Sequence, residues 1–203
     1  YTFSDWIAVF NILQKNPIKK YEKEFSAKFE NNYGVMFQHG RTGIYALLKV
    51  WGIENNEVIC PAYTCVVVPN AIVLSKNIPV FVDSAKDSFN MNIELLEQSV
   101  TKNTRAIVVT HIFGYPMDVL KIEEIVQRAE QKYGHKIYVI QDTAHSYGAK
   151  WNNILVTKYG DASIFGSNIS KVINSIFGGM VITNSQDTFK KLIPFFVIIS
   201  GIT

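Results

Sequence analysis

The sequence predicts an α/β domain with a largely parallel sheet and helices on both of its faces. Three observations predict it. Short β-rich runs alternate with segments of helical period. Several of these runs are apolar at every position, as strands covered on both faces are. Gly and Pro mark the junctions, at Gly52, Pro61, Gly114, Pro116, Gly134 and Gly160.

Strands are expected at 57–60, 79–82, 105–110, 137–141, 162–165 and 180–183. The run Ala106-Ile107-Val108-Val109 has no polar face. Between the strands, Ile44, Leu47, Leu48 and Trp51 stand at i, i+3, i+4 and i+7. Further on, Ile122, Ile125, Val126, Ala129 and Tyr133 share one helical face. Strands separated by helices need crossover connections, which make neighbours parallel. Ligands of such sheets sit beyond the carboxyl ends of the strands. The residues to inspect therefore lie at 61–65, 111–116, 142–145 and 166–171.

With 203 residues, no internal repeat and no internal linker, the chain reads as one large domain. The apolar fraction of 48% supports a substantial core rather than disorder. The net charge of +3 is spread along the chain, without a basic cluster interleaved with aromatics, so no nucleic-acid partner is expected. Cys60 and Cys65 match neither zinc-knuckle nor redox spacing, and the four histidines form no local cluster, so no metal is expected. Two cysteines make no disulfide framework, which points to a reducing, cytoplasmic setting. No apolar run approaches the ~20 residues of a spanning helix, and no membrane partner is expected. The run at 193–199 is the most apolar. The first residues, Tyr1-Thr2-Phe3-Ser4-Asp5, do not read as a signal peptide. Both ends read as cut, and the apolar end from Phe195 to Ile199 as an exposed surface of a longer protein.

Three motifs carry chemistry. Gly40-Arg41-Thr42-Gly43-Ile44 opens an amphipathic helix, with Thr42 as the expected N-cap. A glycine-containing helix start offers backbone N–H groups to a phosphate, although capped helices without ligands are common. The second motif is Gln141-Asp142-Thr143-Ala144-His145. An acid at a strand end can pair with a protonated ring nitrogen, or simply cap the next turn. The third is the loop 167–179, in which Lys171 stands after a strand and before Gly178-Gly179. A lysine in a desolvated site is a nucleophile, whereas most lysines are solvated surface groups.

The order and spacing of these motifs resemble the DegT/DnrJ/EryC1/StrS family of PLP (pyridoxal 5'-phosphate)-dependent sugar aminotransferases. The resemblance runs from about Gly34 to Leu192. It is carried by the 40–48 helix start, Glu57-Val58-Ile59-Cys60-Pro61-Ala62-Tyr63-Thr64-Cys65, Pro79-Val80-Phe81-Val82-Asp83 and 104–111. Gly114-Tyr115-Pro116-Met117-Asp118, 141–149, Gly160-Asp161-Ala162 and Lys171 through 178–184 complete it. It implies the large domain of a fold-type-I aminotransferase, a mostly parallel, mixed seven-stranded sheet. On this reading 1–33 is an N-terminal helical segment and 34–203 the PLP-binding domain, with a C-terminal small domain missing.

The resemblance also implies site roles. Lys171 matches the lysine that forms an aldimine with PLP. Asp142 matches the acid on the pyridine nitrogen, and His145 the residue beside the ring. Thr42 and Gly43 match the phosphate turn. The family usually has Ser five residues before the lysine, where this chain has Gly166; Ser167 or Ser170 are the available substitutes. Cys65 stands where an aromatic often stacks on the ring. Dehydratase relatives carry His in place of the lysine, so Lys171 favours transamination. The implied activity moves an amino group from an amino acid, by resemblance glutamate, to a keto-sugar on a nucleotide carrier. The implied assembly is a homodimer in the full-length protein. Two alternatives stay open: a catalytically impaired member serving as a binding or regulatory module, and a PLP enzyme with a non-sugar substrate.

Overall fold

The computed structural model describes residues 17–172 and 177–200, with backbone alone for 196–200. The first sixteen residues of the expected N-terminal helical segment lie outside the described residues. So do 173–176 of the lysine loop and the side chains of 196–199.

The chain opens with helix α1 (Pro17–Lys28) and strand β1 (Tyr33–Phe37), then α2 (Gly40–Val50), β2 (Glu57–Pro61), α3 (Val67–Leu74) and β3 (Ile78–Val82). Next come α4 (Ile93–Ser99), β4 (Thr104–Thr110), α5 (Val119–Tyr133) and β5 (Tyr138–Asp142). A small hairpin, β6 (Lys150–Trp151) and β7 (Ile154–Leu155), precedes β8 (Ala162–Gly166), β9 (Gly179–Thr183) and α6 (Gln186–Ser200).

Seven strands form one sheet in the order β1-β9-β8-β5-β4-β2-β3. The pairs from β8 to β3 are parallel, and β9 runs antiparallel to both neighbours. This is the mixed, mostly parallel sheet that was expected. The apolar strands divide their side chains between two layers. Ala106 and Val108 of β4 pack with Ile44, Leu47 and Leu48 of α2 and Ile72 of α3. Ile107 and Val109 pack on the other face with Leu96 of α4 and Ile122 and Ile125 of α5. Phe25 and Phe29, at and just beyond the end of α1, pack with Phe165, Met180 and Ile182.

Among the strands, β1 and the β6–β7 hairpin were not anticipated. β1 is short and carries a glycine, and its strand character comes from pairing with β9, about 150 residues later in the chain. The β6–β7 hairpin turns on Asn152 and Asn153, both at positive φ, as a tight hairpin requires. At the other end, Phe195 is half-buried against the α2 layer, 6.5 Å from the Tyr45 ring, and so is not an exposed apolar residue.

Candidate active site

The site forms where α2 begins, at the carboxyl ends of β4, β5 and β8. Thr110 and Asp142 are the last residues of β4 and β5 and stand opposite each other in register. The Thr110 hydroxyl donates to Asp142 Oδ2 at 3.2 Å, and the Ala144 N–H donates to Oδ1 at 3.1 Å. Asp142 is buried, and burial pushes its pKa up. The Ala144 and Thr110 donors, then the charges of His145 and Lys171, pull the other way.

His145 is half-buried, and desolvation and the Lys171 charge hold its imidazole below the usual histidine range, with Asp142 opposing. Its Nδ1 is buried without a partner among the described residues. Phe113 lies parallel to it, 7° between planes and 6.0 Å between centroids. Phe113 adopts φ 53°, a left-handed conformation uncommon outside glycine.

His111 anchors the loop that carries Phe113. Its Nδ1 accepts the Met117 N–H at 3.0 Å, so its proton sits on Nε2 and is given to Gln141 Oε1 at 2.9 Å. Burial pushes its pKa down to about 4, with the Gln141 bond opposing, so the ring is neutral. Asn90 clamps the same loop, accepting from the Ile112 N–H at 3.0 Å and donating to the Tyr115 carbonyl at 2.9 Å.

Lys171 follows β8, and its N–H donates to the Asn168 carbonyl at 3.0 Å. It lines a cavity of about 130 Å³ together with Asp142, His145, Cys65 and Thr110. Thr64 lines it too, and its Oγ1 is buried without a partner among the described residues.

The first turn of α2 closes one end of this cavity. His39, not Thr42, is the N-cap, and it makes no side-chain cap. Thr42 therefore lies inside the helix, its N–H donating to the His39 carbonyl at 3.1 Å. Gly40 and Arg41 line the cavity; Thr42 and Gly43 do not. Gly43 is buried against the sheet, where a Cβ would come within 2.6 Å of Val181 Cγ2. Gly179 lets the start of β9 meet the start of α2, because a Cβ there would overlap the Gly40 nitrogen. Ser167 lines a second cavity, on the far side of Gly166, with Phe25 and Met180.

Asp142, His145, Lys171 and Cys65 are thus brought together, whereas Thr42, Gly43 and Ser167 stand outside the lining. Arg41, Thr64, Thr110 and Asn168 are lining residues that sequence reasoning did not select. For Thr110 a signal existed: it ends the strand next to the one that Asp142 ends.

The sequence matches the DegT/DnrJ/EryC1/StrS aminotransferase family over residues 8–198. The chain belongs to this family. Its relatives within the family include GDP-perosamine synthase of Escherichia coli O157:H7, 32% identical over 95% of this chain and 50% of that protein. A pleiotropic regulatory protein of Geobacillus stearothermophilus is 31% identical over 86% of this chain and 46% of its own length. The putative sugar aminotransferase Spr1654 of Streptococcus pneumoniae, in its PLP form, superposes with a TM-score of 0.85 at 22% identity. That fit covers 94% of this chain and 54% of the other, and shows the family's fold. The chain spans about half the length of the curated relatives it matches.

Proposed function

We propose that this chain is the cofactor-holding part of a PLP-dependent aminotransferase that transfers an amino group from an amino acid to a keto-sugar. The observation that carries the reading is the meeting of Lys171, Asp142 and His145 on one cavity. The residues present fit the cofactor. A buried carboxylate lies at one side, and two buried polar atoms, His145 Nδ1 and Thr64 Oγ1, have no partner among the described residues.

Lys171 is the covalent anchor for the cofactor carbonyl. Asp142 holds the protonated ring nitrogen, a cation that offsets the burial of its carboxylate. His145 would stand beside the ring and Cys65 on its face, a smaller platform than an aromatic side chain. When bound, PLP supplies the electron sink for charge developing at the substrate α-carbon. The Lys171 Nζ, once free, takes the α-proton as a general base and returns it as a general acid. Glutamate is the proposed donor, and a nucleotide-linked keto-sugar the proposed acceptor, supported by the likeness to GDP-perosamine synthase.

The full-length protein is proposed to act as a homodimer in the cytoplasm. Both cysteines are free, which suits a reducing compartment. Among the described residues no helix is long and apolar enough to cross a membrane.

The test is borohydride reduction of the PLP-loaded protein followed by peptide mapping. The cofactor mass is expected on the Lys171 peptide, and its absence there from protein that binds PLP would overturn the anchor assignment. A second reading, a regulatory module without catalysis, is favoured by Gly166 and Cys65 and by the regulatory protein among the relatives. Protein that never takes up PLP would support that reading instead.

A further inference from the structure

We infer that Arg41 provides the cationic part of the grip on the cofactor phosphate, in a chain where Gly166 removes the hydroxyl grip. This inference rests on the PLP reading of the same cavity.

The charges lining the cavity are unevenly placed. Among the described lining residues, Asp142 is the carboxylate, and Arg41 and Lys171 are the permanent cations. Asp142 ends β5, while the start of α2 abuts β8, the next strand over: an ideal Cβ on Gly40 would lie 3.0 Å from the Phe165 carbonyl oxygen and 3.5 Å from Gly166 Cα. Neighbouring strands lie about 4.8 Å apart, comparable with the span of a pyridine ring. A ring whose nitrogen met Asp142 and whose carbonyl met Lys171 would leave Gly40, Arg41 and Gly166 as the lining residues available to its phosphate. Lys171 is occupied by the carbonyl, which leaves Arg41 for the phosphate.

The Gly40 and Arg41 N–H groups, at the start of α2, have no acceptor within the helix, and they lie at the positive end of its dipole. They supply donors but only partial charge, against a group of nearly two negative charges. A guanidinium supplies the rest, with a fork that matches phosphate oxygens. Arg41 is exposed at the cavity rim, and no carboxylate among the described residues pairs with it. At 166 the backbone has room for the missing side chain. A Cβ there would meet Ala144 Cβ at 3.6 Å and Lys171 Cε at 3.7 Å, which is ordinary contact. At this position the hydroxyl is absent for lack of a side chain, not for lack of space.

The experiment measures dissociation constants for PLP and for pyridoxal, which lacks the phosphate, by absorbance titration of the purified protein. Arg41→Gln is expected to weaken PLP binding by about tenfold to a hundredfold, the range of one charge-assisted contact, and to leave pyridoxal binding unchanged. Arg41→Lys should keep part of the difference. Adding Gly166→Ser to Arg41→Gln should recover PLP affinity and not pyridoxal affinity. Arg41→Gln that weakens both compounds equally, or neither, overturns the inference while leaving the PLP reading intact. Wild-type protein that binds neither compound overturns both together.

Discussion

Asp142 is held in a conflict that shows at the level of one residue. Its carboxylate is buried and accepts two hydrogen bonds, yet burial still raises its pKa, so two neutral donors do not replace the water it lost. Asp142→Asn removes the desolvated charge and keeps an oxygen for the Ala144 N–H. The cofactor-free variant should be more stable by about 1 kcal/mol, seen as a higher melting temperature, while PLP affinity falls. His111 gives a pH signature. Its folded pKa, about 4, lies below the ordinary 6.5, so between these values the unfolded chain takes a proton that the folded one refuses. Stability should therefore be intact above about pH 6.5 and fall as pH drops toward 4, by up to about 3 kcal/mol. Asp142 acts with the opposite sign, because its raised pKa lets the folded state take up a proton first. The comparison is therefore wild type against His111→Asn, which keeps an acceptor for Met117, with urea midpoints measured from pH 7 to 4.5; the variant should show the shallower slope. The places of Asp142 and His145 at the end of one apolar strand, and of Lys171 just beyond another, were legible in the sequence, whereas the roles assigned to them came from the family resemblance. Arg41 and Thr64 were not, because their places depend on which strand ends and helix starts become neighbours.

At the scale of elements, α2 shows how a motif can be read correctly and its atoms wrongly. The glycine-containing helix start was visible, but the cap lies at His39, three residues before Thr42, and this shift turns Gly43 from the cavity toward the sheet. Gly43→Ala gains helix propensity, worth up to about 1 kcal/mol. It also drives a Cβ to 2.6 Å from Val181 Cγ2, on a β-branched side chain that is 1% exposed and has little freedom to rotate. The clash should win, with a net loss of about 1–2 kcal/mol in denaturant unfolding. Val181→Ala in the same chain should then cost less than it does alone, a coupling that a double-mutant cycle reads directly. Strands β2 to β5, β8 and β9 were legible to within a residue or so at each end, because their apolar runs are bounded by turn residues. β1 was not, since five residues with a glycine carry little strand signal of their own.

For the whole molecule, alternation of strand and helix was enough to predict a largely parallel sheet covered on both faces. It did not predict the order of the strands, which depends on long-range pairing. That order has a consequence in time. Tyr33 of β1 pairs with Thr183 of β9, and β9 is also what closes the gap between β1 and β8. A ribosome adding about 5–20 residues per second exposes β1 about 7–30 s before its partner exists. Before that wait ends β2, β3, β4 and β5 can already form their parallel block, while the earliest strand made has no edge to join. The cradle at Gly40, Gly166 and Gly178 needs β1, α2, β8 and β9 in place together. The nascent chain thus completes its scaffold first and its binding cavity last, so vitamin B6 captured during synthesis would be taken up only after the last strand has emerged.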